Sequence, residues 1–230
     1  MWPFFDQLIG NQCALCRARA DGLCQSCKAA LPRNLNPCRR CALPLPGAAP
    51  AGSLCAACQA KSPDYERVLA PLLYQAPVSD LVARFKYHAR LDLGRILASE
   101  LLAAVSYSDC RPALLLPVPM DPSGLRRRGY NQASELARWL SCQLGIPWSA
   151  GHLERIRSAA HQRELDRAHR QRNLRGVFSC RGRLPEHVAL VDDVVTTGAT
   201  VNEISATLRR AGVQEIEIWA VARTPATRGP

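Results

Sequence analysis

Lysine is scarce in this chain. Of 30 basic residues among 230, only three are lysines and 27 are arginines. The formal net charge of +11 therefore sits almost wholly in guanidinium groups. Such a balance permits attraction to nucleic acid or phosphorylated ligands and demands neither. Long apolar runs are missing too. Nothing approaches the roughly 20 apolar residues of a membrane-spanning helix, so membrane insertion is not expected. The opening residues, Met1-Trp2-Pro3-Phe4-Phe5, lack a basic stretch ahead of an apolar segment, which argues against a secretory leader. The expected compartment is a reducing cytoplasm, where disulfides do not persist.

That last exclusion decides how the 11 cysteines are read. Eight form four C-x-x-C pairs: Cys13/Cys16, Cys24/Cys27, Cys38/Cys41 and Cys55/Cys58. Each spacing aims two thiolates from a tight turn at one ion, and two turns complete a site of four thiolates. Two structural Zn²⁺ ions are expected. Sequential and interleaved pairings both satisfy the spacing. Large apolar residues are few here, so metal must supply much of the folding free energy. Cys110, Cys142 and Cys180 stand singly and are not expected to be ligands. Arg17, Arg19, Lys28, Arg33, Arg39 and Arg40 decorate the segment, a feature compatible with nucleic-acid contact or with protein docking.

Ser62-Pro63-Asp64 marks a boundary, giving residues 1–62 as a double zinc ribbon and residues 63–230 as a second domain. Beyond it, strand and helix patterns alternate. Strands are expected over residues 67–74, 113–118, 188–191 and 215–222. Helices are expected over 78–87, 91–105, 131–144 and 200–211. The alternation predicts an α/β fold, a mainly parallel sheet with helices on both faces, whose ligands bind outside the carboxyl ends of the strands.

The most informative run is VALVDDVVTTGAT, residues 188–200. An apolar strand meets Asp192 and Asp193. Thr196, Thr197, Gly198, Ala199 and Thr200 then open a helix. Free backbone N–H groups at a helix N-terminus suit a phosphate, and the carboxylates can accept hydrogen bonds from a diol beside it. Phosphate plus diol describes a ribose 5-phosphate. Adjacent side chains on a strand point apart, so the two acids are not expected to act as one dyad. A second arm reads ALLLPVPMD, a strand breaking at Pro117-Val118-Pro119. Arg126, Arg127 and Arg128 follow, before Gly129 and a helix start at Asn131, an arrangement suited to a pyrophosphate or phosphodiester. A third segment, residues 155–183, holds nine arginines against Glu164 and Asp166. It reads as a polar hairpin, a lid or a polynucleotide track. His161 and His169 within it are read as solvated. Phe178 is its single aromatic residue, so base stacking there would be minor.

The C-x-x-C pairs, FKYHARLDLG, LLLPVPMDPSGLRRRGYNQASELA, HQRELDRAHRQRNLRGVF and VALVDDVVTTGAT occur here in one order. In that order they resemble the ComF/GntX family, double zinc ribbons followed by a type I phosphoribosyltransferase-like domain. The resemblance implies a competence or DNA-utilisation role with single-stranded DNA, with DNA-processing proteins as further partners. It implies that Asp192 and Asp193 meet the ribose hydroxyls of phosphoribosyl pyrophosphate with Mg²⁺, that residues 196–200 hold the 5-phosphate, and that the turn after Leu116 is the pyrophosphate loop. Salvage enzymes for oxopurines carry an acidic residue where Thr196 stands. A hydroxyl cannot exchange protons near neutral pH as that acid does, so an oxopurine acceptor is disfavoured. A phosphoribosyltransferase with another acceptor and a sensor without turnover are the remaining readings.

Overall fold

The computed structural model describes residues 11–106, 111–156 and 176–226. Two short helices, α1 (Gln25–Ala29) and α2 (Ala56–Ala60), belong to the cysteine-rich segment. Next come β1 (Arg67–Leu69), β2 (Leu72–Leu73), α3 (Val78–Tyr87), α4 (Leu91–Val105) and β3 (Leu114–Pro117). Then follow α5 (Pro122–Arg128), α6 (Gln132–Leu144), β4 (Leu153–Arg155) and β5 (Phe178–Cys180). The chain continues with β6 (His187–Val195), α7 (Ala199–Arg210) and β7 (Glu215–Arg223).

The main sheet runs β1-β7-β6-β3, with β2 also on β7, and every pairing is parallel. Alternation sends side chains of β6 and β7 to opposite faces. Ala189, Val191, Trp219 and Val221 join Leu81, Phe85, Leu97 and Leu136 under α3, α4 and α6. Val188, Leu190, Ile218 and Ala220 join Val201, Ile204 and Leu208 of α7, with Phe178 of β5. A sheet buried on both faces explains why these strands are nearly continuous apolar runs.

Two differences from the expected elements have local causes. The strand expected over 67–74 is broken at Ala70-Pro71, because proline offers no N–H to a ladder. β6 runs four residues past Val191, so Asp192 and Asp193 lie within the strand, Asp192 opposite Ala220. Of residues 155–183, Arg155 ends β4 and Phe178–Cys180 form β5, and the two strands pair antiparallel. Residues 157–175, with His161 and His169, and Cys110 lie outside the described residues.

The ribbon covers the β1/β2 edge of the sheet. Arg33 bridges Leu72, the Val68 N–H donates to the Arg40 carbonyl at 2.9 Å, and the Leu73 N–H donates to the Pro32 carbonyl at 2.8 Å. Leu31 enters the core on one face of the sheet and Ala42 on the other. Unpaired strand edges are sites of aberrant association, and this one is closed.

Candidate metal centres and phosphate site

Each ribbon combines a knuckle with a helix start. In the knuckles, the N–H groups of Arg17 and Ala42 return to the carbonyls of Cys13 (3.0 Å) and Cys38 (2.9 Å). Arg17 and Ala42 adopt left-handed backbone angles, φ 64° and 53°, which cost a non-glycine residue about 1–2 kcal/mol. Bridges Gln12–Arg19 and Pro37–Pro44 close the two turns alike. Cys24 and Cys55 then cap α1 and α2, placing Cys27 and Cys58 inside the first turn. The two ribbons are thus a structural repeat.

The thiols of Cys13, Cys16, Cys24 and Cys27 all lie within 4.8 Å of one another, as do those of Cys38, Cys41, Cys55 and Cys58. Sequential pairing is the one formed. Cys16–Cys24 and Cys41–Cys55 stand at 3.6 Å between sulfurs. Four sulfurs at about 2.3 Å from a tetrahedral zinc would stand about 3.8 Å apart, so both clusters fit that ion. Burial opposes a thiolate at Cys13, yet backbone N–H groups of Cys16, Cys24 and Leu15 outweigh it and bring the thiol down to about 6. Cys142 and Cys180 lie in α6 and β5, away from both clusters.

The second site lies at the carboxyl ends of β3, β6 and β7. Asp193 is 6% exposed, and its Oδ2 lies 2.5 Å from Lys86 Nζ at the end of α3. That oxygen accepts no well-aligned hydrogen bond. Asp192 Oδ1 accepts the Asp193 N–H at 2.8 Å. Burial first, then the Asp193 charge, lifts the Asp192 carboxyl well above its usual range, and Lys86 offsets part of that rise. Burial opposes the charge on Lys86, but Asp193 and Asp192 hold its ammonium above the ordinary lysine value. The Asp193 charge raises the Asp192 carboxyl, and Lys86 faces both acids.

After β6 the chain turns at Thr196, Thr197 and Gly198, and α7 begins at Ala199, one residue earlier than the pattern predicts. Gly198 occupies the N-cap with φ 80°, a left-handed angle that a side chain would resist. Thr197 Oγ1 accepts the Ala199 N–H at 3.3 Å, and the Gly198 carbonyl accepts the Asn202 N–H at 3.0 Å. The first-turn N–H groups of Thr200 and Val201 have no carbonyl one turn earlier to meet.

On the other side, β3 ends with the Val118 N–H donating to the Val191 carbonyl (2.9 Å) and the Val118 carbonyl accepting from Asn131 Nδ2 (3.0 Å). Asp121 caps α5, which the sequence pattern did not reveal. Arg126, Arg127 and Arg128 occupy its last turn, where the helix dipole favours cations, and Gly129 ends it at φ 79°. Arg126 and Arg127 are exposed. The Arg128 guanidinium lies 4.8 Å over the Tyr87 ring, and its Nη1 donates to Gln132 Oε1 at 3.1 Å.

Residues 85–87 join the two arms. The Phe85 carbonyl accepts the Tyr130 hydroxyl, Lys86 meets Asp193 and Tyr87 carries Arg128. Lys86 was absent from the site residues read from sequence. The signal available was its position: one of three lysines, inside the FKYHARLDLG motif.

Comparison with known proteins agrees with this architecture. The double zinc ribbon domain profile matches residues 4–63, and the phosphoribosyl transferase domain profile matches residues 124–230. DNA utilization protein YhgH of Salmonella typhimurium is 35% identical over 228 residues, covering 94% of this chain and 98% of its own length. Competence protein F of Haemophilus influenzae is 35% identical over 225 residues, covering 92% and 96%. The chain belongs to the competence protein F and DNA utilization protein family. Competence protein ComFC of Streptococcus pneumoniae is similar at 24% identity over 156 residues, 65% of each chain. Among solved structures, the glutamine phosphoribosylpyrophosphate amidotransferase from B. subtilis overlaps with a TM-score of 0.39 at 21% identity, covering 60% of this chain and 30% of that one. The purine phosphoribosyltransferase from Pyrococcus horikoshii overlaps with a TM-score of 0.33 at 21% identity, covering 62% and 78%. Within the family architecture, the described residues include no helix long and apolar enough to cross a membrane.

Proposed function

We propose that this family member binds phosphoribosyl pyrophosphate, or a related ribose 5-phosphate, and holds single-stranded DNA by its phosphates. The observation that carries the ligand reading is one strand end shared by four features. These are Asp192, Asp193, Lys86 and the N-terminus of α7 behind Gly198. In this reading Asp192 and Asp193 accept hydrogen bonds from the ribose hydroxyls. Thr196, Thr197, Gly198, Ala199 and Thr200 surround the 5-phosphate, with the Thr200 and Val201 N–H groups as donors. Pro117 and Pro119 have no N–H and both polar backbone groups of Val118 are engaged, so pyrophosphate contact falls to the backbone after Pro119 and to Arg126, Arg127 and Arg128.

Mg²⁺ fits the acidic side of the site. It takes oxygen ligands, and Asp192 and Asp193 offer carboxylate oxygens beyond Asp193 Oδ2, which Lys86 Nζ already meets at 2.5 Å. When bound, the ion would neutralise charge on the pyrophosphate. The protein's own residues set the diol and phosphate positions on either side of it. Thr196 carries no group that exchanges protons near neutral pH, which favours binding over oxopurine chemistry.

For DNA, exposure divides the ribbon's basic residues. Arg33 is paired with Glu100 at 2.6 Å, and Arg40 donates to the Tyr65 and Glu66 carbonyls. Arg17, Arg19 and Arg39 remain exposed, as do Arg126 and Arg127. Such arginines supply affinity that is sensitive to salt and indifferent to sequence.

Calorimetric titration with phosphoribosyl pyrophosphate, with and without Mg²⁺, tests the ligand reading; repeating it with single-stranded DNA present tests coupling. Changing Asp192 and Asp193 together to Asn keeps the shape and removes the charge. Each lost charge-assisted hydrogen bond should cost about 1.5–3 kcal/mol, roughly tenfold to a hundredfold in affinity. Wild-type affinity in that variant would refute the site.

A further inference from the structure

Arg223, the last residue of β7, is 3% exposed, and no carboxylate pairs with it among the described residues. Its charge is met by backbone carbonyls from two distant segments. Nη1 donates to the carbonyls of Val195 (3.1 Å), Thr196 and Thr224 (2.8 Å). Nε donates to the carbonyl of Cys41 at 3.0 Å. A buried cation is expensive unless its donors are satisfied, and the guanidinium is a rigid plane. The Cys41 carbonyl and the start of the 196–200 loop are therefore held at one fixed spacing by a single side chain.

Cys41 belongs to the second cysteine cluster, and its neighbours reinforce the link. Arg40 Nη1 donates to the Tyr65 and Glu66 carbonyls at 3.1 and 2.8 Å. Ala42 packs with Tyr65 and Val68. Tyr65 is 3% exposed, and its hydroxyl lies 3.7 Å from where a Cβ on Gly198 would stand. Three consecutive knuckle residues thus contact the platform behind the loop. The first ribbon leans elsewhere. Arg84 of α3 donates to the Ala14 carbonyl at 3.1 Å, Ile96 of α4 packs beside Gly22, and Arg33, between the two ribbon clusters, pairs with Glu100 of α4.

We propose that Arg223 is a positioning residue that makes the conformation of the 196–200 loop depend on an intact second cysteine cluster, and not on the first. A metal held by Cys38, Cys41, Cys55 and Cys58 fixes the Cys41 carbonyl, and Arg223 passes that position to the Thr196 carbonyl. The dependence is reciprocal: a ligand that orders the loop also stabilises the second cluster. The effect on ligand affinity rests on the phosphate-site reading above; the mechanical link does not.

The test is hydrogen exchange of residues 195–201 in the full-length, zinc-loaded protein, beside elemental zinc content and titration with phosphoribosyl pyrophosphate and Mg²⁺. Arg223→Lys keeps the charge but loses the planar fork. It should retain two zinc ions, while the loop amides exchange about tenfold faster and ligand affinity falls by a similar factor. Cys58→Ser, which opens the second cluster, should speed loop exchange likewise. Cys27→Ser, which opens the first, should leave loop exchange at the wild-type rate. Wild-type loop exchange in folded Arg223→Lys overturns the proposal. So does equal acceleration by Cys27→Ser and Cys58→Ser, a comparison that still decides if Arg223→Lys does not fold. Faster loop exchange in Arg223→Lys and Cys58→Ser, with no ligand binding even by wild type, would uphold the link and sink the ligand reading.

Discussion

Replacing Lys86 by methionine removes the one ammonium among the described residues that faces Asp192 and Asp193 while keeping a stem of similar length in place. Loss of one member of a buried ion pair costs about 3–5 kcal/mol when its partner stays charged. Here the side chains of Lys86 and Asp193 are 21% and 9% exposed, so water screens part of the loss. An expected cost of about 2–3 kcal/mol at pH 7.5 follows. The sign of the pH dependence comes from the shifts. Lys86 is held above its ordinary value, so its stabilising charge is complete at neutral pH and is lost only as pH rises through that raised value. Asp192 is lifted, so its ionisation costs the folded state stability above the unfolded carboxylate range. Lys86 limits that lift, so its removal deepens the cost only where pH lies above the raised wild-type value; below it both folded proteins keep the Asp192 proton. The deficit of Lys86→Met should therefore shrink as pH falls from 7.5 towards 5. Urea unfolding of the zinc-loaded proteins, followed by circular dichroism at several pH values, measures it. A deficit under about 0.5 kcal/mol, or one that grows towards acid pH, would refute the reasoning.

The remaining predictions concern metal, packing and nucleic acid. Wild type should hold two zinc ions and Cys16→Ser one, while Cys142→Ser and Cys180→Ser keep both; elemental analysis of the purified proteins decides. Gly94→Ala should destabilise by about 1–3 kcal/mol, because its Cβ would stand 2.7 Å from Phe85 Cε2 in a packed core; an unchanged melting temperature would show that the Phe85 ring yields freely. Replacing Arg126, Arg127 and Arg128 with Ala should flatten the salt dependence of single-stranded DNA binding. An unchanged slope would remove these arginines from the DNA contact.

Much of this architecture was legible because it follows from local chemistry. The helices at 78–87 and 91–105 carry apolar residues at helical spacing, and the C-x-x-C turns announce their ligands one pair at a time. What was hidden depends on residues far apart in the chain. Lys86 is an ordinary basic residue near a helix end until folding puts Asp193 beside it. Arg223 looked like the edge of a strand, yet its donors reach Cys41, 182 positions away. The pairing of cysteine turns was likewise undecidable from spacing, since both arrangements close loops of acceptable length. Helix α5 escaped notice because seven residues holding Pro122, Gly124 and three arginines show no apolar period.

The order of strands in the sheet has a consequence for synthesis on the ribosome. β7 is the strand that β1, β2 and β6 all pair with, and it is made after them. At about 5–20 residues per second, the interval between translation of β2 and of β7 is on the order of 10 s. Through that interval β1 and β2 have no sheet to join. The ribbon, already complete, holds the backbone of Val68 and Leu73 through the carbonyls of Arg40 and Pro32. If the ribbon needs zinc to fold, metal supply to the nascent chain would decide whether these two strands wait docked or loose, and zinc starvation should lower the yield of folded protein during synthesis.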